Sequence, residues 1–265
     1  MVPAAGRATR ISPLPCSKEI FPIGLRESPN GSGVQRPKVV SHYLLDKMRL
    51  AGIRKAYVVL REGKWDIPAY YRDGMALLDM HLAYLLAWLP YGPPFTVDQA
   101  YPFVRESIVA FGFPDIVFEP QDAFVQVLEK QVSTRADVVL GVWPVQPAHM
   151  ADDRLEIDPD GRVRQIAVKS FTTDLPLTWS IAVWTPAFTE FMHAQLSATL
   201  DAGKGLPDGT PSISREMIMG HVMAGAVEKG LHVNSVQFLG AGYIDIGTPE
   251  ALARIYAAER PEYLW

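Results

Sequence analysis

The chain has 265 residues, 48% hydrophobic and 20% charged, an ordinary globular balance with enough apolar residues to bury a sizeable core. Its formal net charge of −4 excludes a broad nucleic-acid surface, although a local pair of cations is still enough to hold a phosphate. The single cysteine, Cys16, excludes an internal disulfide and a multi-thiolate metal site and fits a reducing compartment. No charged segment followed by an apolar run opens the sequence. The most apolar run, Met80 to Leu89, is interrupted by His81 and is too short to span a bilayer. A cytoplasmic protein with neither nucleic-acid nor membrane partners is expected. The six histidines form no i, i+4 pair, so no zinc site is expected either.

In chain order, Val2 to Ile23 comes first and has no core-helix pattern. It carries Gly6, the Thr9-Arg10 pair, several prolines and Lys18. A loop of this kind after a strand offers backbone N–H groups and two fixed cations to a phosphate. Only Met1, Val2 and Pro3 precede it, so the leading strand is either stunted or begins upstream. Arg26 to Gly33 reads as a turn region. Val40 to Ala51 has helical spacing with Gly52 as its stop, and Ala56 to Leu60 is a buried-strand run. Gly63 to Tyr71 reads either as a surface helix with aromatic contacts or as a helix packed beside a bound ligand, and Ala83 to Trp88 reads as a strand. Pro90-Tyr91-Gly92-Pro93-Pro94 is a rigid turn, after which Asp98-Gln99-Ala100 is expected to open a helix running to about Ser107. Ile108 to Phe111 is another buried strand. It delivers Asp115 just beyond its carboxyl end, where open α/β sheets bind ligands. The plain alternative for Asp115 is a cap for the helix near Gln121.

Val138 to Val145 reads as a strand. Arg154–Ile157 and Arg162–Val168 flank the turn Asp158-Pro159-Asp160-Gly161 as a hairpin. Thr178 to Trp184 is a strand, Pro186 starts a helix, and residues 203–211 form a Gly/Pro-rich loop. Ser214 caps a helix with the apolar face Ile218, Val222 and Ala226, stopped by Gly230. Val236 to Leu239 is a last strand, and Pro249 to Ala258 a last helix. Alternating helices and buried strands predict a doubly wound α/β sheet, mixed and mostly parallel, with flanking helices.

Two stretches carry a family resemblance. Ala4-Ala5-Gly6-Arg7-Ala8-Thr9-Arg10 with Ser17-Lys18-Glu19 resembles the glycine-rich loop and lysine element of the sugar-1-phosphate nucleotidylyltransferases. Tyr243-Ile244-Asp245-Ile246-Gly247-Thr248-Pro249-Glu250 resembles their W-x-D-x-G-T-P-E segment. The resemblance runs from Val2 to about Ile255. It implies the Rossmann-like nucleotide-diphospho-sugar transferase fold as a single domain over 1–265, with an acceptor-binding part at roughly 138–240. It implies Arg10 and Lys18 as catalytic cations, residues Ala4 to Thr9 with Gly92 and Gln99 as nucleotide contacts, and Gly141 and Lys169 as acceptor contacts. Asp115 and Asp245 would hold Mg²⁺. The implied substrates are a nucleoside triphosphate and a sugar 1-phosphate; members of the family are often homo-oligomers.

Three departures stand out. Ala8 replaces a loop glycine, which disfavours positive φ. The Arg10–Lys18 spacing is about two residues shorter than in the thymidylyl-transferring branch. Val168 stands where the family has a carboxylate that accepts bonds from sugar hydroxyls, so the acceptor is expected to be held differently. Two other readings are weighed: a non-catalytic nucleotide-binding relative, and a glycosyltransferase using Asp158-Pro159-Asp160 as a D-x-D metal pair.

Overall fold

A computed structural model describes residues 1–28, 31–89, 91–146, 152–170, 173–203 and 216–257. Strand β1 (Val2–Ala4) is only three residues long. It feeds the loop that ends in a 3₁₀ turn at Lys18–Ile20. β2 (Pro22–Glu27) and β3 (Gln35–Val39) then form an antiparallel hairpin. The sequence suggests only a turn here, because the paired residues include Arg26, Arg36 and Lys38 and lack the alternation of a half-buried strand. Helix α1 (Val40–Leu50) buries Val40, Leu44, Leu45 and Met48, each such side chain worth about 1.5–3 kcal/mol. Gly52 ends it at φ +82°, a left-handed position that suits glycine.

β4 (Lys55–Leu60), the short helices α2 (Asp66–Tyr71) and α3 (Met75–Leu78), and β5 (His81–Leu86) follow. The expected helix from Asp98 is corrected. α4 (Pro93–Asp98) starts five residues earlier, and α5 (Tyr101–Val104) is separate. Prolines Pro93 and Pro102 sit in the first turns, where a missing N–H costs nothing, so each starts its own helix. β6 (Val109–Gly112), β7 (Ile116–Phe118), α6 (Ala123–Thr134) and β8 (Val138–Pro144) come next. After them β9 (Arg154–Ile157) and β10 (Val163–Ala167) make the expected hairpin. β11 (Leu177–Trp184), α7 (Pro186–Gly203), α8 (Met219–Glu228), β12 (Val233–Gln237), β13 (Tyr243–Asp245) and α9 (Pro249–Ala257) complete the order. The cap expected at Ser214 and the loop over 204–211 lie outside the described residues. No described helix is long and apolar enough to cross a membrane.

The sheet is mixed. β1, β4 and β5 are parallel neighbours, as are β8 and β12. β11 runs antiparallel to β6, β8 and β9 and carries the reversed part. β1 sits at the join: the Met1 amino group donates to the Ala110 carbonyl at 2.7 Å and Gly112 N–H donates to the Met1 carbonyl. Apolar clusters cover both faces, one around Leu44, Phe124 and Trp143, the other around Phe111, Trp184 and Phe188. Gly112 lies against α1; a Cβ there would meet Leu44 Cδ1 at 2.4 Å.

His42 on α1 is fully buried against Tyr70 and Tyr71, and among the described residues neither ring nitrogen has a hydrogen-bond partner. Burial, then the charges of Arg26 and Lys38, push its pKa down to about 3 from 6.5. The unfolded chain therefore binds a proton from pH 6.5 downward that the fold refuses until about pH 3. Stability from this site is present above pH 6.5 and drains away as pH falls through that window. His42→Phe should lose less stability than wild type between pH 7 and pH 4 in urea titrations; identical losses would refute this account.

Candidate active site

The pairing of β13 with β7 brings two distant acids together. Asp245 lies opposite Ile116, and Ile246 N–H donates to the Asp115 carbonyl at 3.0 Å. Both side chains line a cleft of about 880 Å³ that also takes in Gly6, Ala8, Arg10 and Lys18. Lys18 Nζ pairs with Asp115, and Arg10 Nη2 reaches Asp245 at 3.4 Å. Gly247 makes this reach possible: a Cβ there would sit 2.6 Å from Arg10 Nη2. Asp245 Oδ1 also accepts from Gly247 N–H at 2.7 Å.

The electrostatics divide the two acids. Burial pushes the Asp115 carboxyl up, but the Lys18 charge and hydrogen bond outweigh it and hold it below the usual range. Burial and then the Asp115 charge push Asp245 up, against Gly247 N–H, Lys18 and Arg10. Burial pulls the Lys18 ammonium down, but Asp115, helped by Glu19 and Asp245, leaves it above its ordinary value. Two carboxylates this close make a site that gains from extra positive charge.

The loop is fixed from beneath by Asp66, Glu19 and Lys64, whose contacts are tertiary. Asp66, at the start of α2, accepts from Ser17 N–H at 2.6 Å and from Ser17 Oγ at 2.7 Å. Glu19 is buried and receives Lys64 Nζ at 2.7 Å on both carboxylate oxygens. Burial drives both toward their neutral forms, Glu19 upward and Lys64 downward, so each depends on the other. Ala8 departs from expectation: it takes φ +54°, and its carbonyl accepts from Ile11 N–H and Ser12 Oγ. A non-glycine residue in that region costs about 1–2 kcal/mol, which the loop's other bonds offset.

Other sequence candidates divide clearly. Ala5, Arg7, Thr9, Gly92 and Lys169 line the cleft; Ala4, Gln99 and Gly141 do not. Ala4 is buried in β1, where it pairs with Leu60. The Gln99 amide donates to the Phe95 carbonyl within its own helical segment. Gly141 is a packing glycine, since a Cβ would meet Ile181 Cγ1 at 2.5 Å. Gly92 has a packing reason as well: at φ +110° it leaves room for the Met217 carbonyl, 2.0 Å from where a Cβ would be. Near it Trp88 lines the cleft with 74% of its surface exposed. Asp122, not Asp115, stands at the α6 N-terminus. Asp158 pairs with Arg164 in the hairpin, and neither it nor Asp160 lines the cleft.

No protein-family model matches the chain, and no curated protein matches it. Solved structures do. A Bacillus anthracis protein described as a glucose-1-phosphate thymidylyltransferase, in complex with sucrose, superposes with a TM-score of 0.76 at 14% identity. That match covers 98% of this chain and 94% of the other. A UDP-glucose pyrophosphorylase complexed with UDP-glucose gives a TM-score of 0.73 at 16% identity, over 97% and 96% of the two chains. The chain therefore has the fold of these nucleotidyltransferases over nearly its whole length.

Lys64→Met should cost about 3–5 kcal/mol, because it strands the Glu19 carboxylate in the interior. Urea unfolding measures this, and a loss below about 1 kcal/mol would show that the pair does not fix the loop.

Proposed function

We propose that the chain is a nucleotidylyltransferase. It would join a nucleoside triphosphate to a sugar 1-phosphate or similar phosphate acceptor and release pyrophosphate. The observation that carries this reading is the convergence of Arg10, Lys18, Asp115 and Asp245 in one cleft. The shared fold of the two nucleotidyltransferases supports it.

The attacking acceptor phosphate is already an anion near neutral pH, so the reaction needs no general base. The barrier lies in bringing two polyanions into line, and positioned cations lower it. Arg10, exposed on the loop, presents a forked donor to the leaving pyrophosphate. Lys18, held over Gly6, faces the α-phosphate; Lys169, which also lines the cleft, meets the acceptor phosphate. The backbone from Gly6 to Thr9 holds the outer phosphates.

The donor set fits Mg²⁺: two adjacent carboxylates offer hard oxygens, and Asp245 is raised by burial and then by the Asp115 charge, which a cation would offset. Among the described residues no group of three or more His, Cys, Asp or Glu could hold a metal, so substrate oxygens would complete the shell. When bound by Asp115 and Asp245, Mg²⁺ would neutralise charge developing at the α-phosphate. A non-catalytic nucleotide-binding relative is the second reading, favoured by the Lys18–Asp115 pair, which occupies one of the metal-facing acids.

Pyrophosphate release with a panel of nucleoside triphosphates and phosphate acceptors tests the proposal; binding without release would select the second reading. Arg10→Ala should lower kcat by about 100-fold or more while the urea midpoint stays unchanged; equal losses of activity and stability would make Arg10 structural. Asp245→Asn should raise the magnesium concentration needed for half-maximal turnover, and an unchanged titration would remove Asp245 from the metal site.

A further inference from the structure

The acceptor half of the cleft poses a chemical question. Val168, where a hydroxyl-reading carboxylate is expected, is apolar, partly buried and packed against the buried core. The turn after it nevertheless carries a carboxylate from elsewhere in the chain. Lys169, at φ +42°, donates its backbone N–H to Asp153 Oδ1 at 3.1 Å. Trp179 Nε1, from β11, donates to Asp153 Oδ2 at 3.1 Å. Asp153, Lys169, Trp179 and Gly220 all line the cleft.

The start of α8 is shaped around this side chain. A Cβ on Gly220 would lie 2.2 Å from Asp153 Oδ2 and 2.6 Å from its Cγ. Among the described residues no Lys or Arg side chain pairs with Asp153 at ion-pair distance. Its two donors are neutral N–H groups, one to each oxygen, and each oxygen keeps a further acceptor position. Burial pushes the carboxyl up, against those two bonds. An oriented, incompletely satisfied carboxylate in a cleft is suited to accept a hydrogen bond from a ligand.

We infer that Asp153 is the specificity-determining carboxylate of the acceptor site, accepting a hydrogen bond from a hydroxyl or ammonium group on the non-phosphate end of the acceptor. This rests on the nucleotidyltransferase reading for the identity of the acceptor, not for the existence of the binding site. The ligand class is a phosphate monoester with a donor-bearing body, held by Lys169 at the phosphate and by Asp153 at the body.

The test is equilibrium binding by titration calorimetry with wild type, Asp153→Asn and Gly220→Ala. The probes are glucose 1-phosphate, glucosamine 1-phosphate, 2-deoxyglucose 1-phosphate and inorganic phosphate, with a nucleoside triphosphate as control. Wild type should prefer at least one sugar phosphate over inorganic phosphate by about 10- to 100-fold, the range of a hydrogen bond to a charged group. That preference should collapse in Asp153→Asn. It should also collapse in Gly220→Ala, where the new methyl displaces the carboxylate without removing its charge. Triphosphate affinity and the urea midpoint should hold in both variants. The glucose and glucosamine arms separate a hydroxyl from an ammonium donor.

A preference retained in both variants overturns the inference. So does a wild type with no preference, or variants that weaken triphosphate and sugar phosphate equally. If the preference behaves as expected but no pyrophosphate is released with any pair, the catalytic reading fails and the Asp153 site stands.

Discussion

The antiparallel pairing of β13 with β7 is the constraint on which the candidate site depends. It is only three residues long on each strand, yet it brings together two carboxylates that are far apart in the chain. A carboxylate is costly there: burial, then the Asp115 charge, raise the Asp245 pKa. The fold tolerates the arrangement because Lys18 and Arg10 come over from the first loop to meet the acids. The apolar cluster of Ile23, Val40, Val117, Ile244 and Ile246 locks the strands from behind. Electrostatic cost in the cleft is thus balanced by burial beneath it.

The loop that supplies the cations has little regular structure, so its shape comes from tethers. Asp66 fixes Ser17 from one side, and the Glu19–Lys64 pair holds the 3₁₀ turn from below. Ala8 accepts backbone strain that a glycine would avoid. A loop fixed in this way can present cations to phosphate without having to order them at the moment of binding, which is the advantage of preorganisation.

The cleft lining is chemically mixed. Around Gly92 and the exposed Trp88 it offers an aromatic face and tight backbone. Around Lys169 and Asp153 it offers a cation, a carboxylate and the Trp179 ring. The Arg10–Lys18 loop and the acid pair line the same cleft, an arrangement that suits a reaction joining two phosphate-bearing molecules.

Much of this was determined by sequence alone. Buried runs such as Ala56–Leu60 and Val138–Val145 marked strands, because short continuous apolar stretches suit strands buried on both faces. The Gly6–Arg10 loop and the Asp245-x-Gly247 segment were legible because their chemistry is local. Tertiary structure alone decided which candidates meet. It separated Gln99 and Gly141, which serve helix and core, from Gly92 and Lys169, which reach the cleft. It also decided which charges meet which partners: Glu19 with Lys64, Asp66 with Ser17, and Asp153 with the Lys169 turn. Their partners lie 45, 49 and 16 residues away. Periodicity and turn chemistry report on neighbours along the chain; which buried charge meets which is settled only when the sheet closes.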